Sequence, residues 1–190
     1  MGNNNPANKV PTKVILSVVS YGVAVSGYLG TKFGTWNWFS FHPALMMLSF
    51  FSLTGAAALI KKRGGYTNTK LHGYLMALAT VAAGFAFYVI YSNKIMLQKD
   101  HFTSWHSWWG LTALLAYLLL FVVGLFGLHP DFGAAKTNKL IRASHKYAAR
   151  LATVIAWISM ILAFNKLDDD PTHQLAFATP LVASAFIVLV

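Results

Sequence analysis

Six long apolar stretches, separated by short polar segments, limit the folds that this sequence can adopt. A helix needs about 20 mainly apolar residues to cross the hydrocarbon core of a bilayer, and each stretch is of that length. In a chain of 190 residues, 56% of them hydrophobic and 11% charged, a water-soluble core could not enclose so much apolar surface. We therefore predict an all-α integral membrane protein with six transmembrane helices. Their predicted bounds are roughly residues 13–33, 41–60, 71–91, 104–128, 140–164 and 171–190.

The segments between the apolar stretches are too short to form a second domain. Residues 1–12, rich in Asn and Pro, are expected to be a flexible cytosolic tail, and residues 13–190 a single helical bundle. The first apolar stretch is long, and no A-x-A-like cleavage site follows it at the usual distance, so we interpret it as a retained helix. The chain has no cysteine, which excludes disulfides, thiolate-bound metal clusters and cysteine nucleophiles.

Lys and Arg are distributed unevenly between the two ends of the predicted bundle. One end, here called the basic end, holds the N-terminal tail and the second and fourth loops, and it carries about twice as many as the opposite, distal end. The positive-inside rule then places both termini in the cytosol, or in the matrix or stroma of an organelle. A basic membrane face accounts for the net charge of +10 without a nucleic-acid partner, and no nucleic-acid-binding motif is present.

Four of the seven histidines lie at the start of four consecutive predicted helices. Because antiparallel neighbours alternate in direction, His42 and His106 are predicted at the distal end, and His72 and His145 at the basic end. A titratable ring at membrane depth is costly unless it has a partner. Two neutral imidazoles that face each other across a bundle core can be the axial ligands of an iron porphyrin. We therefore predict one pair of haem ligands at each end, although each histidine taken alone is more typical of an interfacial hydrogen-bonding residue.

Small or flexible residues follow each of these histidines along its helical face and could leave space for a flat ring. Such residues also mediate close helix packing, which is the role we expect for Gly22, Ser26 and Gly30. Zinc is the rival metal, but it needs three or four ligands at one point, whereas these donors are divided between two ends. All five acidic residues lie in predicted loops, which disfavours hydrolysis by a buried carboxylate–histidine pair. The residues that follow the histidines are Met46, Ser49, Met76, Ala79, Ala83, Gly110, Ala113, Ala148, Ala149, Ala152 and Ala156.

Four segments resemble, in order and spacing, the haem-ligand segments of the eukaryotic cytochrome b561 family. They are FHPALMMLSFF, KLHGYLMAL, SWHSWWGL and SHKYAARLATVIA, and the resemblance covers roughly residues 35–165. It implies a six-helix protein in which helices 2–5 form a four-helix core around two haems b. His42 and His106 would ligate the distal haem, and His72 and His145 the haem at the basic end, in agreement with the pairing from topology. The chain departs from the family pattern at Lys62, which replaces the Tyr of A-L-L-x-Y-R.

The activity that the resemblance implies is that of an oxidoreductase, which transfers electrons across the membrane from cytosolic ascorbate to monodehydroascorbate or ferric iron. Ascorbate is an anion near neutral pH, so cations at the basic end would attract it. The candidate substrate-binding residues are Lys70, Arg142 and Arg150 at the basic end, and His101, Phe102, Ser104 and Trp108 at the distal end.

Two other functions stay open from the residues alone. An accessory subunit of a larger membrane complex, with or without electron-transfer activity, would also present many lipid-facing aromatic residues. A transporter is disfavoured, because no predicted helix is visibly broken at mid-depth and no acidic residue lies in the membrane. The expected partners are membrane lipid, a small-molecule electron donor and an acceptor, and a homodimer or a larger complex is compatible with the sequence.

Overall fold

Six long helices make up the computed structural model, which describes residues 10–32 and 34–189. No strand occurs among these residues, which confirms the predicted all-α class. Of the predicted tail, residues 1–9 lie outside the described residues, as do Phe33 and Val190, the predicted last residues of the first and sixth helices. The helices are α1 (Thr12–Thr31), α2 (Phe41–Lys62), α3 (Tyr66–Met96), α4 (Trp105–Gly127), α5 (Lys139–Leu167) and α6 (Pro171–Val188).

The first five helices are long and apolar enough to cross a membrane, so the chain is a multi-pass membrane protein. Large apolar side chains cover the outside of the bundle, including Leu119 on α4, as contact with lipid requires. The sixth helix is not among these five, since its 18 residues begin with the polar sequence Pro-Thr-His-Gln. Its passage through the membrane stays a prediction.

The second helix is the most buried part of the bundle and packs against α1, α3 and α5. Its middle, Leu48–Leu53, is π-helical, a feature that the apolar pattern did not predict. A π-helical turn disrupts the regular hydrogen-bond ladder, and here side chains bond to the backbone around it. Trp157 Nε1 on α5 donates to Phe50 O at 2.9 Å, and the Ser49 hydroxyl donates to Ala79 O on α3 at 2.7 Å. The hydrogen bonds at the π-helical turn therefore tie α2 to α3 and to α5.

Small residues let α1 approach α2 closely, which is the role expected for them. A β-carbon at Gly22 would lie 1.9 Å from Ser52 Oγ on α2. One turn further along α1, the Ser26 hydroxyl donates to Ala44 O at 2.7 Å. A larger side chain at position 22 would therefore force the two helices apart.

We expect the Gly22→Leu variant to unfold at a lower temperature than the wild type. Overpacking costs about 1–3 kcal/mol in a tightly packed contact, and the backbone of α2 cannot move without disturbing its π-helical turn. The matched control is Gly27→Leu, because a β-carbon at Gly27 meets no atom within 4 Å. Thermal unfolding in detergent measures both, and equal melting temperatures for the two variants would contradict the close approach.

A buried carboxylate, Asp168, joins the ends of three helices at the distal end. It follows α5 directly and accepts hydrogen bonds from Lys32 Nζ, just after α1, at 2.5 Å and from His173 Nδ1 in α6 at 3.0 Å. The hydrogen bond from Lys32 is the main reason that the pKa of Asp168 falls to about 2, with a second contribution from the backbone N–H of Asp170. These contacts hold α1 and α6 against the end of α5.

The Asp168→Asn variant should be less stable than the wild type at neutral pH. A carboxyl group whose pKa is lowered on folding stabilises the protein above its unfolded-state pKa, and this stabilisation is lost as the pH falls through its folded-state pKa. The difference in melting temperature should therefore shrink between about pH 5 and pH 2. The neighbouring Asp169→Asn, at an exposed position, is the control and should match the wild type at every pH. A difference in melting temperature that is independent of pH would show that the charge of Asp168 does not stabilise the contacts between the ends of α1, α5 and α6.

Candidate functional site

The four helix-start histidines lie at the two ends of the bundle. His42 is in the first turn of α2 and His106 in the first turn of α4, both at the distal end. Their ring centroids are 6.3 Å apart. At the basic end, His72 on α3 and His145 on α5 are within electrostatic range of each other. The structure therefore places the four histidines at the ends of the bundle that the topology predicted, and it brings His42 and His106 close together. That each pair binds one haem stays a prediction.

Three of these histidines have one ring nitrogen fixed by a backbone carbonyl. Nδ1 of His42 lies 2.9 Å from Ala86 O, and Nδ1 of His106 lies 2.9 Å from Ser159 O. Nδ1 of His72 lies 3.0 Å from the carbonyl oxygen of Ala57 on α2. A carbonyl only accepts, so Nδ1 carries the proton in each ring and Nε2 keeps its lone pair. Each ring is thus in the tautomer that binds a metal through Nε2.

His145 differs from the other three. Its Nδ1 is buried and has no hydrogen-bond partner among the described residues. Its ring packs against the π-helical end of α4, where a β-carbon at Gly124 would lie 3.4 Å from His145 Cε1. The position of this ring is therefore set by packing rather than by a hydrogen bond.

A cavity of about 250 Å³ adjoins the rings of His42 and His106. Its walls include Gly110, Ala113 and Ala156, which belong to the small residues predicted to leave space for a flat group. Ala113 and Ala156 are buried, whereas Ala148, predicted in the same role near His145, is exposed. Methionines and aromatic side chains complete the apolar wall: Phe39, Met46, Met47, Phe50, Phe87, Tyr91, Met160, Phe164 and Phe177.

His42 and His106 fit the ligand set of a haem, and these two side chains would hold its iron at the distal end. Two imidazoles that bind one metal ion from opposite sides, each nitrogen about 2 Å from it, have ring centres about 6 Å apart, and the His42–His106 separation is 6.3 Å. The Nε2 lone pairs are free and small residues line the cavity beside them. Within residues 10–32 and 34–189, no three His, Cys, Asp or Glu side chains converge on one point.

Three of the four predicted distal substrate residues line this cavity: His101, Phe102 and Ser104. The ring of His101 stacks on Tyr91 with centroids 4.4 Å apart. Trp108 is exposed instead, and the centroid of its ring lies 5.7 Å from that of the Phe102 ring. The Ser104 hydroxyl caps α4, so its main role is structural.

Two lysines that the sequence did not single out for this cavity also line it. They are Lys94, near the end of α3, and Lys166, near the end of α5. None of the described residues that line the cavity is acidic. Sequence patterns did not indicate that Lys94 and Lys166 line a cavity, since both are typical of the positive charges found at helix ends.

At the basic end, each of the three predicted substrate-binding cations has a different partner within the chain. Lys70 forms an ion pair with Asp131 at 2.9 Å, and the Tyr66 hydroxyl donates to the same carboxylate. These two hydrogen bonds, that of Tyr66 first, hold the pKa of Asp131 below its usual range. Arg142 donates to a backbone carbonyl at 3.3 Å, and the Arg150 guanidinium lies 5.8 Å from the centre of the Tyr147 ring. Lys70 is therefore neutralised within the chain.

Comparison with known protein families shows to which family this chain belongs. Residues 41–168 match the family described as eukaryotic cytochrome b561. The chain belongs to this family. The matched region contains α2 to α5 and all four paired histidines, and members of the family bind haem b.

Curated relatives of this cytochrome b561 family member are named as membrane reductases. The chain is 28% identical over 130 residues to the plasma membrane ascorbate-dependent reductase CYBRD1 of Mus musculus. The matched region covers 64% of this chain and 45% of that protein. It is 27% identical over 130 residues to the Rattus norvegicus protein of the same name, covering 64% of this chain and 46% of that one. It is 30% identical over 113 residues to the probable transmembrane reductase CYB561D1 of Mus musculus, covering 54% of this chain and 48% of the relative. The chain thus spans about half the length of the curated relatives that it matches.

Proposed function

We propose that this protein transfers electrons across a membrane between two haems b, one held by His42 and His106 and one by His72 and His145. Haem iron supplies the one-electron chemistry, because it alternates between two oxidation states without leaving its ligands. The observation that carries the proposal is the distal pair: two imidazoles across a cavity, each with Nδ1 fixed and Nε2 available. The names of the curated relatives support a reductase activity.

The protein's own residues would perform three tasks at these sites. The carbonyls of Ala86, Ser159 and Ala57 orient the ligand rings and raise their basicity through Nδ1. The apolar cavity wall excludes water from the distal site. Tyr117, buried near the middle of α4 and hydrogen-bonded to Thr153 Oγ1 on α5 at 2.8 Å, would help to fill the core of the bundle.

Ascorbate at the basic end is the electron donor in this proposal. Both termini would then be cytosolic, in keeping with the excess of Lys and Arg at that end. Cations at the surface attract an anionic donor and raise its local concentration. Monodehydroascorbate or ferric iron would be the acceptor at the distal cavity, where His101, Phe102, Lys94 and Lys166 would shape the entrance.

The test is an ascorbate-reduced minus oxidised difference spectrum of the purified protein, combined with the haem content per chain. The proposal requires two haems per chain and their reduction by ascorbate. In vesicles that contain an acceptor, ascorbate added on the side of the basic end should support transfer, and ascorbate added only on the distal side should not. A protein that binds haem but is not reduced by ascorbate would instead fit an accessory subunit.

A further inference from the structure

The ring of His145 is held less firmly than those of the other three paired histidines. In His42, His72 and His106, Nδ1 lies within 3.0 Å of a backbone carbonyl that accepts a hydrogen bond from it. The buried Nδ1 of His145 has no hydrogen-bond partner among the described residues. A histidine that binds a metal almost always donates from its second ring nitrogen to an acceptor, which fixes the orientation of the ring and raises its basicity. His145 lacks both of these effects.

Another edge of the His145 ring faces a glycine. A β-carbon at Gly124, in the π-helical end of α4, would lie 3.4 Å from Cε1 and 4.0 Å from Nε2 of His145. Because glycine has no side chain, this edge of the ring, which includes the metal-binding nitrogen, has room to move toward α4. The ring is therefore restrained neither by a hydrogen bond at Nδ1 nor by a side chain at position 124.

The part of α5 that carries His145 is also weakly packed. Of residues 139–148, only Ile141 and His145 are partly buried, and the other eight are exposed. The first buried residue of α5 is Ala152, two turns beyond His145. Around His72, by contrast, six of residues 66–75 are partly buried. Segments with few buried contacts open at a low cost in free energy, so the start of α5 can move away from the bundle and take His145 with it.

We propose that His145 is the exchangeable ligand at the basic end, and that a small neutral donor such as carbon monoxide can take its place on the iron. The inference rests on the proposed function, because it concerns the haem that His72 and His145 would hold. In the exchange, the bond between iron and Nε2 of His145 breaks and a bond between iron and carbon monoxide forms, with no transfer of electrons or protons. His72 keeps its hydrogen bond to the Ala57 carbonyl and remains the second ligand. The distal haem should not exchange a ligand, because both of its histidines have a fixed Nδ1.

Carbon monoxide added to the dithionite-reduced protein tests the exchange directly. The visible spectrum of the wild type should show that one of the two haems binds carbon monoxide and that the other does not. His106→Leu, which would retain only the haem at the basic end, should bind carbon monoxide. His72→Leu, which would retain only the distal haem, should not. Binding in His72→Leu, or no binding in the reduced wild type, would overturn the proposal.

The N-terminal cap of α5 offers two variants that leave all four histidines in place. The Asn138 side chain accepts hydrogen bonds from the backbone N–H groups of Leu140 and Ile141. Asn138→Ala removes this cap and should raise the rate of carbon monoxide binding about fivefold, the factor that corresponds to the typical cost of losing a helix cap. Asn138→Asp keeps an acceptor at this position and should bind at the wild-type rate. Equal rates in the two variants would show that α5 does not open and that His145 is not the ligand that leaves.

Transfer of haem to apomyoglobin measures the same difference without carbon monoxide. The haem at the basic end should leave the wild type about 10–100-fold faster than the distal haem, since the loss of such a hydrogen-bond partner typically weakens metal binding by this factor. The faster phase should be absent from His72→Leu. A single phase for both haems of the wild type would contradict the proposed difference between the two sites.

These measurements separate the exchange at His145 from the proposed function. They use dithionite or no reductant, so they can succeed even if ascorbate does not reduce the protein, and in that case only the proposed donor is wrong. Conversely, two haems that ascorbate reduces, neither of which binds carbon monoxide, would support the proposed function and overturn the exchange at His145. A protein that contains no haem would contradict both.

Discussion

In the proposed arrangement of two haems, replacing His106 with leucine should lower the haem content of the purified protein from two per chain to one. The centroid of the His106 ring lies 6.3 Å from that of the His42 ring, and Nε2 of His106 keeps its lone pair because Nδ1 donates to Ser159 O. Leucine has a similar volume but no lone pair, so the distal site would lose one of the two side chains that would hold a haem. Haem extraction and the visible spectrum measure the result. The melting temperature should fall as well, since a bound group that stabilises only the folded state has been lost.

The same experiment tests the pairing of the histidines. His42→Leu should remove the same haem as His106→Leu, whereas His72→Leu and His145→Leu should remove the other one. His129→Leu is the matched control, because His129 lies in a loop and its ring stacks on that of Phe132, with the ring centroids 4.0 Å apart. A further check is His106→Gly, in which added imidazole should restore the lost spectrum. If His72→Leu removed the haem that His106→Leu removes, the proposed pairs would be wrong.

The helices could be predicted because a bilayer imposes a minimum apolar length on each of them. The predicted starts at residues 41, 104 and 140 lie within one residue of the observed starts of α2, α4 and α5. The third helix is longer than predicted, Tyr66–Met96 against residues 71–91, because its polar ends stay helical outside the apolar span. Hydropathy marks the part of a helix that lies in lipid, and it does not mark where the hydrogen-bonded backbone ends.

The positions of the histidines could be predicted for a related reason, since alternation of helix direction alone fixes which ends meet. The hydrogen-bond partners of these histidines could not be predicted. Ala86, Ala57 and Ser159 contribute backbone carbonyls, which every residue has. The π-helical turn in α2 was also missed. Its backbone accepts a hydrogen bond from Trp157, more than one hundred residues away, and such a partner leaves no local pattern in the sequence.

The sequence and the structure differ most in which basic residues they favour as ligand-binding cations. Lys70 was a candidate because it is a cation at the basic end that could attract ascorbate, but it is paired with Asp131, which is 61 residues further along the chain. Lys61 resembled an ordinary topology signal, yet the register of α2 against α3 places it beside the histidine. Local charge patterns identify the membrane face, whereas the tertiary contacts decide which charge is available to a ligand.

Filling the distal cavity should also remove one haem, without any change to the ligands. Ala113 is buried, lies two turns after His106 on α4 and lines the cavity of about 250 Å³. We expect Ala113→Leu to occupy part of the space beside the two rings and to lower the haem content to one per chain. The haem that remains should be the one that His106→Leu retains, because the cavity adjoins only the distal pair among the four histidines.

Overpacking by itself destabilises a core by about 1–3 kcal/mol, so general damage has to be separated from a blocked cavity. The matched control is Ala24→Leu, the same substitution at an exposed position of α1, and it should keep both haems. The remaining haem reports on the fold of Ala113→Leu, since its spectrum should be unchanged if the basic end is intact. Retention of both haems in a folded Ala113→Leu protein would mean that this cavity does not hold the distal haem. Partial loss from both sites would instead indicate destabilisation of the whole bundle, and it would count against a cavity that serves the His42/His106 pair alone.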